Sequence, residues 1–477
     1  MSDEFDAVAA TVHDRVTPSP EERERLADAV ADLVDRAERA VDDLPAAADV
    51  VHVGSTARDT WLAGDRDVDL FVRFPPDLDR DLLREYGLTV GHAVLPESHE
   101  EYAEHPYVVG EYDEFAVDLV PCYAVETATA IRSAVDRTPF HSQYLDARLD
   151  DSLAGEVRIC KQFLSGLGIY GSNLRTRGFS GFLAELLVLE HGGFRPLVEA
   201  AAGWRLPVVF DPDGHDGGHE TAEHSGGESG TAAGAQFDSP LVVVDPTDPG
   251  RNVAAVCSAD NVARLQHYAR ALLADPREGL FERDNPDPVD RNEVRETLTD
   301  RGTSPLAVRF DAPEVVGDQL WPQLEKSRDG VAATLDRYGF DVFRSAAFAE
   351  TDDGAGGAAT GDAVLLFELA VDERPRIERH EGPPVHVREH AVEFYETYAG
   401  EAASGPFVDG DRYVVERDRE YADARSLLEG ETIFDAALGA HVQSALEQGY
   451  DLLVGDEVAL LADSFGVELA RYFTPEP

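Results

Sequence analysis

The chain has 477 residues, 43% of them hydrophobic and 8% aromatic; at about 150 residues per domain that excludes a single small module, and the core-forming content excludes a wholly disordered chain. Its 94 acidic residues face 41 basic ones, a formal net charge of −53, which at face value excludes a nucleic-acid binder held by electrostatics. Lysine has almost vanished, however, with only Lys161 and Lys326 left, and an acidic, lysine-poor surface is what keeps a protein hydrated in molar salt, where the Debye length falls to about 3 Å. The charge therefore reads as a halophilic adaptation that says little about the partner.

Ser19-Pro20-Glu21-Glu22 supplies a cap, a first-turn proline and a capping-box glutamate, which predicts a helix carrying Leu26, Val30, Leu33, Val34, Ala37 and Val41 to about Asp42. Strands follow at 50–53, running into Gly54-Ser55, at 68–74 and at 115–120. This makes an α+β sheet domain ending near residue 148, from which a helical region extends to about 275 through 157–164, 179–191 and 258–274. Residues 211–236 are rich in Gly, Asp, Ser and Glu with no aliphatic larger than alanine, and read as a flexible insertion. A strand at 240–244 leads into the Pro-rich turn Asp245 to Ala254. The last third, 276–477, opens with a strand at 306–310, a helix over 315–338 and strands at 342–349 and 363–371, half of a ferredoxin-like unit. An arginine- and tyrosine-containing element at about 373–430 and two helices at about 433–448 and 456–472 close the chain.

Cys122, Cys160 and Cys257 are too few and too scattered for a disulfide framework or a CxxC site, the N-terminus has no basic and apolar leader, and no apolar run approaches about 18 residues. These features predict a soluble, cytoplasmic protein without a membrane partner.

The sharpest chemical signal is Val53-Gly54-Ser55, followed after eleven residues by Asp67-Val68-Asp69. Carboxylates at i and i+2 on a strand share one face, where they can bridge two divalent metal ions for phosphoryl transfer. Acid-x-acid alone is weak, since roughly 19 such places arise by chance in so acidic a chain. Here the pair interrupts an apolar strand, follows Gly-Ser at the end of another, and is matched by Asp118 inside Phe115-Ala116-Val117-Asp118-Leu119-Val120. Carboxylates among strand hydrophobics are costly unless a cation neutralises them. The Gly54-Ser55 turn would let backbone N–H groups and a hydroxyl reach phosphates, with Arg58 one helical turn further on. Together these residues point to a nucleotidyltransferase.

The chain also resembles the archaeal CCA-adding enzymes, the class I tRNA nucleotidyltransferases. The resemblance is carried in order by Gly54 to Leu62, Gly64 to Phe71, Glu104-His105-Pro106-Tyr107, Val117 to Tyr123, Arg137-Thr138-Pro139-Phe140-His141, Gly168-Ile169-Tyr170-Gly171-Ser172 and Asp245 to Ala255. It implies a polymerase-β-like head (1–148), a helical neck (149–275), a ferredoxin-like body with a tail (276–477), and a homodimer. It implies Asp67, Asp69 and Asp118 as ligands of two catalytic Mg²⁺ ions. For ATP or CTP it implies Gly54, Ser55, Arg58, Thr138, His141, Lys161 and Tyr170, with Arg251 at the base edge. The activity implied is addition of C, C and A to the tRNA 3′ end with release of pyrophosphate. Taken alone, His141 could be structural, Tyr170 a core aromatic, and Arg251 a partner of Asp245 or Asp248. Arg374, Arg376, Arg379, Arg412 and Arg417 are candidates for contacting the tRNA acceptor and T arm, and singly they could be ion-pair partners. A poly(A) or oligoadenylate polymerase and a non-catalytic RNA-binding scaffold are the rival readings.

Overall fold

The computed structural model describes residues 2–102, 104–215, 236–283, 285–351 and 359–477. The chain folds as two units, residues 1–284 and 285–476.

The first unit begins with helices α1 (Ser2–Val16) and α2 (Pro20–Asp42). The capping box forms as the sequence predicts: Ser19 Oγ accepts from the Glu22 amide at 3.2 Å, and Glu22 Oε2 accepts from the Ser19 amide at 2.8 Å. Then come β1 (Asp49–Val53), the single-turn α3 (Gly54–Ala57), β2 (Asp67–Phe74), α4 (Arg80–Val94), β3 (Ser98–Tyr102), β4 (Pro106–Tyr112) and β5 (Phe115–Tyr123). The five strands form one sheet in the order β1-β2-β5-β4-β3, with β2 and β5 parallel. Period-2 alternation sorts its two faces. Val68, Leu70, Val72, Val117 and Leu119 pack under Leu26 and Leu33 of α2 and Leu83 and Val90 of α4. The opposite face carries a small apolar patch, Val53, Phe71, Val120 and Cys122, and the three aspartates.

Helices α5 (Thr138–Asp146), α6 (Asp151–Gly166), α7 (Gly181–His191) and α8 (Phe194–Ala201) follow, then β6 (Val208–Phe210), β7 (Leu241–Asp245), β8 (Asp248–Asn252) and α9 (Ala259–Ala274). Asp150, Ser180 and Ser258 cap α6, α7 and α9 through their side chains. Phe163, Leu187, Phe194, Leu197 and Leu265 build a second core, which Phe5, Val12 and Val16 of α1 and Leu280 and Phe281 also enter. The structure adds elements that the sequence reading did not name, among them α1, α4, β3, β4, β6 and β8. The turn after β7 becomes a hairpin strand, β8, because Asn252 Oδ1 accepts the Val243 amide at 2.9 Å and draws the chain back along β7. The exposed, charged β3 carries no readable alternation, whereas α4, which the sequence reading passed over, is capped by Asp79 and buries Leu83, Gly87, Val90 and Val94 at helical spacing. Residues 216–235 of the insertion lie outside the described residues.

The second unit contains α10 (Arg291–Arg301), β9 (Ser304–Asp311), α11 (Gly317–Arg337), β10 (Val342–Thr351) and β11 (Ala359–Leu369). Next come β12 (Ile377–Pro384), α12 (Arg388–Tyr398), β13 (Ser404–Asp409), β14 (Arg412–Asp418) and α13 (Ala424–Glu429), and finally α14 (Ala440–Gln448), β15 (Asp451–Val454) and α15 (Ala462–Phe473). The antiparallel sheet β10-β11-β9-β15, with α11 and α14 as its crossovers, completes the ferredoxin-like unit of which the sequence displayed half. The 373–430 element is inserted between its third strand and second helix. There β12-β14-β13 form a sheet beside α12, and the His380, Phe394, Tyr398 and Tyr413 rings pack together. The second terminal helix starts only at Ala462, preceded by a 3₁₀ turn over Gly455–Leu461.

Candidate active site

Val53 ends β1 directly opposite Asp69 in the antiparallel register, and Asp69 stands opposite Asp118 across the parallel β2–β5 pair. Asp67 lies two residues back on the same face, at the strand entry. Gly54 turns the chain over this row with φ +82°, and a Cβ there would lie 2.0 Å from Asp69 Oδ2. The glycine is therefore required twice, for its left-handed backbone and for the space the carboxylate fills.

Burial and like charge act together on these acids. Asp69 is pushed up to about 6 by burial and then by Asp67, offset in part by Arg58. Burial, with Asp69, Glu101 and Asp67, pushes Asp118 up to about 7, and burial raises Asp67 as well. Among the described residues no three such side chains are gathered into a ready-made metal cage. The chemistry of the donors nevertheless fits a hard divalent cation: carboxylate oxygens in a row, all made costly as anions by burial, and Asp69 and Asp118 also by their acidic neighbours.

A second cluster adjoins the row. Arg58 donates from Nη1 to Ser142 Oγ at 2.8 Å and from Nη2 to Glu185 Oε2 at 2.9 Å. Lys161 Nζ donates to Thr60 O, Thr60 Oγ1 and Glu185 Oε1 at 3.0, 3.1 and 3.1 Å, and the Thr60 hydroxyl donates to Glu185. The Arg58, Lys161 and Glu185 side chains are 8, 3 and 1% exposed. Tyr170 closes this cluster: a Cβ on Gly181 would meet its hydroxyl at 3.2 Å and Lys161 Nζ at 3.9 Å. Burial, then the charges of Glu185 and Asp65, push its phenol upward.

The third cluster is built around Asp245, the buried last residue of β7. Its Oδ2 accepts from His141 Nε2 and Arg251 Nη1, both at 2.8 Å, and its Oδ1 from the amide and hydroxyl of Thr247 at 2.9 and 2.8 Å. Burial alone would raise Asp245, but the hydrogen bond and charge of His141 and the Thr247 donors outweigh it and hold the carboxyl well below the usual range. His141 stacks on Phe182 at 4.0 Å between centroids. Arg251 is thus the partner of Asp245, while Asp248 takes Arg137. Thr138 opens α5, the helix that carries both His141 and Ser142, so Arg58 and Asp245 are tied to the same helix.

In the second unit all five candidate arginines meet carboxylates: Arg374 with Asp341, Arg376 with Asp418, Arg379 with Asp409, Arg412 with Glu381 and Arg417 with Glu378. Sequence reasoning missed Thr60, Ser142 and Glu185, and had Asp245 only as one of two possible partners of Arg251. Glu185 had a readable signal, as the one charge in Phe182-Leu183-Ala184-Glu185-Leu186-Leu187-Val188. Thr60 and Ser142 had none, because small hydroxyl residues mark nothing until a fold surrounds them.

A row of carboxylates under a glycine turn, flanked by buried cations, suits the chemistry of a nucleotidyltransferase. Three family models match in succession along most of the chain: nucleotidyltransferase domain over 34–141, tRNA nucleotidyltransferase second domain over 155–282, and CCA-adding enzyme C-terminal domain over 301–455. The CCA-adding enzyme of Haloarcula marismortui is 59% identical with 100% of both chains covered. That of Halobacterium salinarum is 54% identical over 98% of this chain and 99% of its own, and that of Methanoregula boonei 40% identical over 96% and 94%. A solved cytoplasmic RNA terminal U-transferase matches 60% of this chain and all of its own at 17% identity, with a TM-score of 0.45. The chain belongs to the family of CCA-adding enzymes.

Proposed function

We propose that Asp67, Asp69 and Asp118 hold two Mg²⁺ ions, and that Gly54, Ser55, Arg58, Thr138, His141, Lys161 and Tyr170 receive the triphosphate of CTP or ATP, with Arg251 at the base edge. The activity they serve is the template-independent addition of C, C and A to the 3′ end of tRNA, with release of pyrophosphate. Bound between carboxylates and triphosphate, the ions would offset phosphate charge and favour ionisation of the attacking hydroxyl. Asp118 takes the side of the tRNA 3′-hydroxyl, and Asp67 and Asp69 the side of the nucleotide. The Gly54 turn leaves backbone N–H groups and the Ser55 hydroxyl for the phosphates, while Arg58 and Lys161 oppose their charge.

The observation that carries this reading is the register of Asp69 with Asp118 beneath Gly54. The same reading divides the chain into head, neck, body and tail, places Arg374, Arg376, Arg379, Arg412 and Arg417 against the tRNA acceptor and T arm, and makes the enzyme a cytoplasmic homodimer. No helix among the described residues is long and apolar enough to cross a membrane.

The test is to incubate the protein in molar KCl with Mg²⁺, CTP, ATP and a tRNA transcript lacking its 3′ CCA, and to size the product at single-nucleotide resolution. Three added nucleotides are expected. A long A-tail would move the chain to the poly(A) polymerases, and no extension at any salt would leave the RNA-binding scaffold.

A further inference from the structure

We propose that Glu185 is a positioning residue of the nucleotide site, anchoring Arg58 and Lys161 so that neither pairs with the catalytic carboxylates before a nucleotide arrives. Helix α7 is apolar from Phe182 to Val188 except for this one side chain, which is 1% exposed with both oxygens occupied. An ion pair at such a place is no asset to folding, because desolvating the charges costs about as much as their attraction returns, and a well-packed hydrophobe of similar volume often serves equally well. Three features of the cluster go beyond fold maintenance.

The cluster carries an imbalance: two buried cations share a single buried anion, leaving a surplus positive charge. That surplus lies beside the acidic row: Arg58 acts on Asp69 itself, and Lys161 on Asp65, two residues before Asp67. Long, flexible cationic side chains beside unpaired carboxylates would collapse onto them and cancel the negative charge a metal ion needs. In the structure they do not: Arg58 is held by Glu185 and Ser142, and Lys161 by Glu185 and Thr60. Finally, Arg58 Nε is buried without a hydrogen-bond partner among the described residues, a donor left over after the anchor has taken its share. An anion entering between the anchored cations and the acidic row satisfies both the surplus charge and this donor. The inference rests on the reading that these cations receive the triphosphate, and adds what keeps them available for it.

The experiment compares the parent with Glu185→Gln, which keeps the volume and removes the charge. Affinities for CTP and for inorganic triphosphate, each with Mg²⁺, are measured by calorimetry, and KM values for CTP and tRNA by extension. Affinity for CTP and triphosphate is expected to weaken at least about tenfold, with KM for CTP rising and KM for tRNA within about twofold of the parent. A merely structural role would lower the melting temperature and leave the CTP affinity of the folded protein unchanged, and that result would overturn the inference. Thr60→Val removes the hydroxyl bridging Glu185 and Lys161 while keeping every charge. It serves where Glu185→Gln does not fold, with about a threefold loss of CTP affinity expected and an unchanged affinity overturning the inference. A parent that binds neither CTP nor triphosphate would overturn the reading of the site and this inference with it, whereas parental binding that Glu185→Gln retains overturns this inference alone.

Discussion

Replacing Gly54 by alanine probes the closest approach in the site. With φ at +82°, a residue bearing a Cβ costs roughly 1–2 kcal/mol of backbone strain. The new Cβ would lie 2.0 Å from Asp69 Oδ2, so the carboxylate must leave its present well, at a further cost of about 0.5–1.5 kcal/mol. The sum, about 2 kcal/mol, is expected to lower the melting temperature of a unit this size by about 4–8 °C. Function suffers more, because restoring ordinary contact moves the carboxylate by at least about 1 Å, which costs on the order of 10²-fold in rate at a preorganised site. Gly64 supplies the control: its φ is +90° and nothing lies within 4 Å of its Cβ position. Gly64→Ala should therefore show the backbone cost and keep its activity. The assay is the rate of CTP incorporation into tRNA lacking its CCA at saturating CTP and Mg²⁺, with thermal melts in the same molar KCl buffer. A Gly54→Ala variant that melts lower yet keeps the parental rate would refute the assignment of Asp69 to the reacting centre, and one with the parental melting temperature would refute the contact itself.

Burial, assisted by the Arg58 charge, depresses His52 from 6.5 to about 4. The folded state thus binds fewer protons there than the unfolded state, and the stability present above pH 6.5 should be lost as pH falls toward 4, by up to about 3 kcal/mol; chemical denaturation across that window should be flatter for His52→Leu, and parallel profiles would contradict the burial. In the second unit the Glu368 carboxylate is fully buried and accepts from Arg301 twice, from Thr303 and from the Tyr472 hydroxyl, at 2.6–2.9 Å. Glu368→Gln should cost about 3 kcal/mol in urea unfolding of that unit while sparing the extension rate of folded enzyme, and an unchanged midpoint would show the network to be dispensable. If Arg379 touches a tRNA phosphate, Arg379→Ala should lower the slope of log affinity against log salt by about 0.9, or about 0.7 for a single-stranded phosphate; an unchanged slope would leave it as the surface partner of Asp409.

How much could be read in advance depended on how locally each feature is encoded. The α2 cap, the Asp-x-Asp strand and Asp118 were legible because each is a local pattern: a capping box, a period-2 alternation, a charge inside an apolar run. The acidic edge strand β3, Ser98-His99-Glu100-Glu101-Tyr102, was not, since one sheet neighbour rather than a buried face specifies it. The β8 hairpin depends on the side chain of Asn252 reaching the backbone of β7, which no propensity encodes. The inserted element hid the ferredoxin-like unit for a related reason: more than 80 residues separate β11 from β15, both of which pair with β9. The site divides in the same way. Asp67, Asp69 and Asp118 announce themselves, whereas Ser142 and Thr60 acquire meaning only from Arg58 and Lys161, 84 and 101 residues distant in sequence.

The two remaining lysines sharpen the electrostatic reading of this acidic chain. In molar salt an exposed charge is screened over about 3 Å, so surface attraction supplies little affinity or stability, and an acidic exterior stays compatible with a polyanionic substrate. A buried charge keeps its force, because ions and water do not reach it. Lys326 is exposed, but Lys161 is 3% exposed and tied to a carboxylate that is 1% exposed, in the one place where a compact cation with three donors meets Thr60 O, Thr60 Oγ1 and Glu185 Oε1 at once. Arginine, planar and longer, would have to displace Thr60 or Glu185 to fit there. The scarcity of lysine elsewhere, where exposed Lys326 is the exception, and its presence at this buried position fit one rule: at high salt a desolvated charge keeps a force that an exposed one loses.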